Sequence, residues 1–165
     1  MPARPQRLFH AHLMNFDPDH PSNRGVLEYF GRDHSARPPS FEPVADPAAL
    51  RQRSAGSHPD IVEHLWDLAA ALPVECRTLV YGRAVLVAPT RGVVFAAALG
   101  TEYGLRLPPA EFALARSAGA EVIHKYRTVD VTLDLAERFG PHWLFGNFDR
   151  REPEWIRSAL DFAEK

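Results

Sequence analysis

Three segments of the chain space their apolar residues as an amphipathic helix does. In the first segment the apolar positions fall on one stripe: Ile61, Leu65, Leu68 and Leu72. We expect Ser57 or Asp60 to cap this helix and Pro73 to end it. The other two predicted helices cover 109–118 and 153–164, and a proline stands in the first turn of each, where its fixed φ suits a helix.

Between the first two helices the pattern changes to short apolar runs that are joined by turns. The four runs are CRTLVY, AVLVAP, VVFAAAL and YGLRL. Joints this tight leave no room for helical crossovers, so consecutive strands must be antiparallel. Residues 121–133 are expected to add a strand or a bent pair, and 142–148 a short aromatic segment. The sequence therefore predicts an α+β fold, with an antiparallel meander sheet of four to six strands and helices packed on one face.

The N-terminal third differs in composition, because nine of the 15 prolines lie in residues 1–59. Proline fixes φ and removes a hydrogen-bond donor, so this part is expected to be extended or rich in turns, with one short helix or strand at 26–31. We predict an N-terminal arm over 1–56 and a single compact α+β domain over 57–165. Apolar residues in the arm indicate that it docks, either on its own domain or on a partner chain, including a second copy.

Charge and cysteine content narrow the class of protein. The net charge of −2 does not favour nucleic acid as the partner. No apolar run approaches the roughly 20 residues that cross a bilayer, and no signal-peptide pattern is visible, so a cytoplasmic protein that does not enter a membrane is expected. The single cysteine, Cys76, begins an apolar run and is expected to be a buried, unreactive thiol.

Residues 80–120 resemble the TfoX N-terminal and MmcQ/YjbR-like group. The matching pieces are GVVFA at 92–96, YGLRL at 103–107 and the helix after Pro109, and the WLFG segment at 143–146 with the final helix is also similar. The resemblance covers about 58–164. It implies a regulatory or DNA-associated domain with no cofactor and no catalytic residues.

The stretch FHAHLMNFDPDH in the arm concentrates side chains that can bind a metal: His10, His12, Asp17, Asp19 and His20. A His-x-His pair on a strand directs both rings to one face, and the aspartates would add hard oxygen ligands for a divalent metal. An aspartate before a proline is also ordinary turn chemistry. The stretch is therefore either a metal centre or a polar part of a docking arm, and we favour the second interpretation.

Basic residues of the predicted sheet form a candidate surface for an anion or an acidic partner. Arg83 and Arg91 stand at turns, and Arg106 alternates with leucines, so its side chain points to the opposite sheet face from theirs. With Lys125 and Arg127 these residues could line one surface that binds an acidic protein or a nucleic acid backbone. The alternative is an ordinary solvated sheet face.

A second candidate is the aromatic group near the C-terminus, formed by Trp143, Phe145, Phe148 and Trp155. Aromatic side chains beside glycine turns can build a ligand pocket or an interface, but they can equally close a core under the last helix. Strand alternation places Trp143 and Phe145 on one face.

Catalytic patterns are weak by comparison. Asp60 and His64 stand four residues apart on the first helix and could form either an acid–base pair or an ordinary solvated pair. The sequence has no G-x-S-x-G elbow and no glycine-rich phosphate loop.

The sequence thus predicts a non-enzymatic cytoplasmic binding or regulatory domain without a cofactor, which engages a protein or a nucleic acid. The alternatives are a metal-dependent hydrolase that uses the arm cluster, and a small-ligand-binding or immunity-type inhibitor module built on the aromatic group.

Overall fold

The computed structural model describes residues 16–31, 41–44, 57–120, 126–127, 132–133, 139–146, 148 and 151–165. Its helices are α1 (Arg24–Phe30), α2 (Pro59–Leu68), α3 (Pro109–Ser117) and α4 (Glu152–Ala163). Its strands are β1 (Phe41–Pro43), β2 (Arg77–Val80), β3 (Arg83–Val87), β4 (Val94–Leu99), β5 (Glu102–Arg106), β6 (Tyr126–Arg127), β7 (Thr132–Leu133) and β8 (Trp143–Phe145). Three short 3₁₀ turns lie at Pro21–Asn23, Ala69–Ala71 and Val74–Cys76.

The predicted α+β fold and its antiparallel meander are confirmed. Six strands form one open sheet in the order β1-β2-β3-β4-β5-β8, and each neighbouring pair is antiparallel. The pair β6–β7 forms a separate two-stranded ladder. The β2–β3 hairpin closes through Tyr81 and Gly82, whose φ angles of 50° and 74° are the left-handed conformation that a two-residue turn of this kind requires.

The sheet is covered on both faces. Helices α2, α3 and α4 pack on one face, as predicted, around buried residues such as Leu65 and Trp155. Helix α1 lies on the other face, where Tyr29 and Phe30 join a second apolar cluster. All six residues of β4 are buried, and a strand that is apolar on both faces needs a cover on each side. The expectation of helices on one face therefore holds for the compact domain, and α1 is the exception.

Asn23 fixes residues 16–31 of the arm to the sheet. Its side chain is fully buried, and Nδ2 donates to the backbone oxygens of Asp17 at 2.7 Å and Gly92 at 2.8 Å. Its Oδ1 accepts the backbone N–H of Val94 at 2.8 Å, next to the point where the register of β3 and β4 shifts. All three hydrogen bonds are buried or partly buried, so Asn23 holds the chain before α1 against the β3–β4 turn.

Two local details differ from the sequence-based expectation. The cap of α2 is His58, whose Nδ1 accepts the backbone N–H of Asp60 at 3.1 Å, and not Ser57 or Asp60. Strand β1 was not expected in the proline-rich arm, but it lies at an edge of the sheet, where Pro43 costs no ladder hydrogen bond on its open side. Within the described ranges, no helix has both the length and the apolar character that crossing a membrane requires.

Candidate functional site

The predicted basic surface is divided by the sheet topology. Hairpin turns of a meander alternate between its two ends, so Arg91, in the β3–β4 turn, and Arg106, the last residue of β5, lie at one end. Arg83 begins β3 and lies at the opposite end, with its guanidinium 5.4 Å from the ring of Phe30. Lys125 lies outside the described residues, and Arg127 lies in β6. The structure therefore does not bring Arg83 together with Arg106.

Arg106 is half-buried between the arm and the last helix. Its Nη2 atom lies 3.4 Å from Oγ of Ser22, and its guanidinium carbon lies 4.4 Å above the ring of Phe162 in α4. Burial lowers the pKa of Arg106 from its usual value, although a guanidinium stays charged at neutral pH. No described carboxylate forms an ion pair with it. The group is thus a positive charge in a partly desolvated position with unused donors.

A pocket of about 330 Å³ opens beside this guanidinium. One side is formed by the arm and α1, the other by β5 and the loop before β8. Its lining residues are Pro21, Ser22, Arg24, Gly25, Glu28, Arg106, Phe139, Gly140, Pro141, His142 and Trp143. We call it the Arg106 pocket. It lies where the predicted arm meets the predicted domain, and its mixture of apolar walls and a few polar groups is typical of a ligand site.

His142 adds a titratable group to the Arg106 pocket. Burial, and next the positive charge of Arg106, lower the pKa of this imidazole from its ordinary value. Its ring stands edge-on to Phe162, with 5.2 Å between the ring centroids. A bound anion would offset the charge of Arg106 and would raise the pKa of His142, so this residue can report on occupancy of the pocket.

The predicted aromatic group is split between the two sides of the sheet. Trp143 and Phe145 stack at 6.0 Å on the side of α1, as strand alternation predicted, whereas Phe148 and Trp155 meet on the side of α4. Three of the four therefore serve chiefly as core. Trp143 also lines the Arg106 pocket, and its indole N–H is buried without an acceptor among the described residues.

The metal-binding candidates of the arm are described only in part, since His10 and His12 lie outside the described residues. Oδ1 of Asp17 accepts the backbone N–H of Asp19 at 2.9 Å, and Nδ1 of His20 accepts that of Ser22 at 3.1 Å. These are turn and capping bonds. Among the side chains that the structure describes, no group of three or more potential ligands converges. The metal centre stays a prediction.

The pairing of Asp60 with His64 is wrong. Asp60 lies 3.8 Å from His58, and His64 is paired instead with Glu152 of α4, at 2.9 Å between Nε2 and Oε2. The two partners are 88 residues apart along the chain, so sequence spacing carried no signal of their contact.

Comparison with known proteins found no match to this chain among protein-family models, curated proteins or solved structures.

Proposed function

We propose that this chain is a binding domain without catalysis of its own, and that the Arg106 pocket receives a carboxylate from an acidic segment of a protein partner. The observation on which this rests is the half-buried Arg106 that no described carboxylate neutralises. A guanidinium presents donors in a planar fork that matches a carboxylate, and the hydrogen bonds gain strength where water is partly excluded. A charge held in this way without a carboxylate partner among the described residues is a ready site for an external one.

The charge distribution favours an acidic protein segment over a nucleic acid. A nucleic acid backbone carries regularly repeated negative charges, so a protein that binds it uses several cations, each of which displaces a counterion from a phosphate. Here the chain has a net charge of −2, Glu28 lines the pocket beside Arg24, and Arg83 lies at the far end of the sheet. One half-buried cation, with the exposed Arg24 beside Glu28 at the rim, suits a single acidic side chain better than a repeated charge.

The pocket wall belongs to the arm, so docking of the arm and binding are coupled in this proposal. Ser22 contacts Arg106, and its neighbour Asn23 is held by the β3–β4 turn. The same proposal includes three points that sequence patterns alone support. They are a cytoplasmic location, a role of the arm in self-association, and the resemblance to the TfoX N-terminal and YjbR-like group.

Fluorescence anisotropy with a labelled peptide that alternates glutamate and glycine tests the proposal. Arg106→Gln removes the charge, and Arg106→Lys keeps it without the planar fork. Loss of one charge-assisted hydrogen-bonded pair, worth about 1.5–3 kcal/mol, is expected to weaken binding roughly 10- to 100-fold in the glutamine variant and less in the lysine variant. Arg116→Gln, at an exposed position of α3, is the matched control and should bind as the wild type does.

Three outcomes would overturn the proposal. The first is equal affinity of the wild type and Arg106→Gln for the acidic peptide. The second is equal binding of a lysine–glycine peptide of the same length. The third is a preference for a single-stranded DNA oligonucleotide whose affinity falls steeply with salt, which would identify a nucleic acid as the partner. Circular dichroism of each variant establishes that a loss of binding is not a loss of fold.

A further inference from the structure

A second cleft, of about 360 Å³, lies at the other end of β5 from the Arg106 pocket. Its lining residues are Ile61, His64, Thr101, Glu102, Tyr103, Gly146, Phe148 and Glu152. They come from α2, the β4–β5 turn, the start of β5, the residues after β8 and the start of α4. We call it the Glu152 cleft. The proposed function makes no use of it.

Glu152 organises the polar side chains of the cleft. Its Oε2 atom accepts a hydrogen bond from the hydroxyl of Tyr103 and lies 2.9 Å from Nε2 of His64. A carboxylate has no hydrogen to give, so the contact with His64 requires the hydrogen to be on Nε2. Burial, and next Glu152, raise the pKa of Tyr103 far above its usual value, so this phenol remains a donor. Two donors from two different elements are thus committed to one carboxylate oxygen.

These internal bonds leave a cleft that offers acceptors. Oε1 of Glu152 and the carboxylate of Glu102 keep lone pairs that no residue in the described part of the chain uses. The hydroxyl hydrogen of Tyr103 and the Nε2 hydrogen of His64 are already committed to Glu152. A ligand that fits must supply hydrogens.

The charge of the lining favours a cationic ligand. The lining contains two carboxylates and no lysine or arginine. Arg151, the closest arginine in sequence, is engaged elsewhere, by Glu154 at 3.2 Å and by the ring of Trp155 at 5.1 Å. The buried rings of Tyr103 and Phe148, with centroids 5.1 Å apart, close the cleft from below, and Ile61 is a partly exposed apolar residue of its lining.

We propose that the Glu152 cleft binds a protonated primary amine at the end of an alkyl chain. An alkylammonium group has three N–H donors and one positive charge, and so complements the carboxylates of Glu152 and Glu102. Its methylene groups would lie against Ile61. The same chemistry is offered by a free alkylamine and by a lysine side chain of a peptide.

Titration of the ¹⁵N-labelled full chain followed by NMR tests the proposal. The probes are n-butylammonium, N-acetyl-lysine N-methylamide, tetramethylammonium and neutral n-butanol, all at constant ionic strength. We expect saturable shifts of the amide signals of Thr101, Glu102 and Gly146 with the first two probes. Tetramethylammonium, which has charge but no N–H donor, should bind several-fold more weakly, and butanol should not saturate. Comparison of the affinities of n-butylammonium and N-acetyl-lysine N-methylamide indicates whether the cleft prefers a free amine or a lysine side chain.

Charge-removing variants make the test specific. Glu152→Gln should weaken butylammonium binding about tenfold or more, because it removes a charged acceptor. Glu102→Gln, at an exposed position, should weaken it several-fold without loss of stability. Glu111→Gln in α3 is the matched control and should change nothing. The proposal is overturned if butanol binds as tightly as butylammonium, if the shifts centre on signals outside the cleft, or if Glu102→Gln and Glu152→Gln both bind as the wild type does.

Discussion

Replacement of Asn23 by alanine should weaken the attachment of the arm to the sheet and so destabilise the folded chain. The change removes two donors to backbone oxygens of Asp17 and Gly92 and takes from Val94 the acceptor of its buried N–H. An unsatisfied buried N–H costs about 1–3 kcal/mol, and each lost hydrogen bond about 0.5–1.5 kcal/mol. We therefore expect Asn23→Ala to lower the free energy of unfolding by about 2–6 kcal/mol.

Denaturant unfolding followed by tryptophan fluorescence measures this loss. The midpoint should fall while the slope with denaturant stays unchanged. Asp19→Ala, on the same arm segment but at an exposed side chain, is the control and should stay within about 0.5 kcal/mol of the wild type. The same Asn23→Ala variant should lose affinity for the acidic peptide, because Ser22 contacts Arg106 from that segment.

Asn23→Asp separates hydrogen bonding from size. The carboxylate still accepts from Val94, but it places an oxygen against the carbonyls of Asp17 and Gly92, which now lie 2.7 and 2.8 Å from Nδ2. This variant should be destabilised at neutral pH and should recover partly in acid, where the protonated group can donate. If Asn23→Ala unfolds within about 0.5 kcal/mol of the wild type, the role given to Asn23 is refuted.

Three further predictions concern the core and the pocket. Burial raises the pKa of Cys76 to about 12. At pH 8 its reaction with a thiol-specific disulfide reagent should therefore be roughly a thousandfold slower in the folded chain than in the unfolded chain. Similar rates in the two states would contradict the burial of Cys76. Gly104→Ala would place a methyl group into the ring of Phe145, and we expect a loss of about 1–3 kcal/mol in the free energy of unfolding; an unchanged thermal midpoint would contradict this. The pKa of His142 in the folded chain lies below its ordinary value of about 6.5. As the pH falls through about 6.5, the unfolded chain therefore takes up a proton at His142 before the folded chain does. The contribution of His142 to stability is present above about pH 6.5 and decreases below it. Arg106→Gln should raise the NMR titration midpoint of His142, and an unchanged midpoint would show that the two side chains do not interact.

The sequence predicts the fold well where local patterns and burial agree. Four apolar runs with glycine at their joints indicate the meander, because tight turns admit only antiparallel neighbours. The cover on the second face was missed, although VVFAAAL is apolar at every position and so indicates a strand that is buried on both sides. Burial of Cys76 at the start of its run is confirmed.

The candidate sites were less predictable, because they depend on contacts between distant parts of the chain. Arg106 was found from strand alternation, but its partners Ser22 and Phe162 come from opposite ends of the sequence. Glu152 stands directly before the predicted helix 153–164, and its bond to His64 has no local signature in the sequence. Asn23 is a single polar residue in the arm, and only the tertiary structure assigns it three hydrogen bonds.

The most direct test of the central claim is an NMR titration of the chain with the glutamate–glycine peptide, with the side-chain Nε–H of Arg106 and the ring of His142 as probes. We expect the Arg106 signal to shift saturably and the pKa of His142 to rise, because the bound carboxylate offsets the positive charge beside it. The amide signals of Thr101 and Gly146 in the Glu152 cleft should stay in place. Saturation of peptide binding with no change at Arg106 or His142 would contradict the proposed role of the Arg106 pocket.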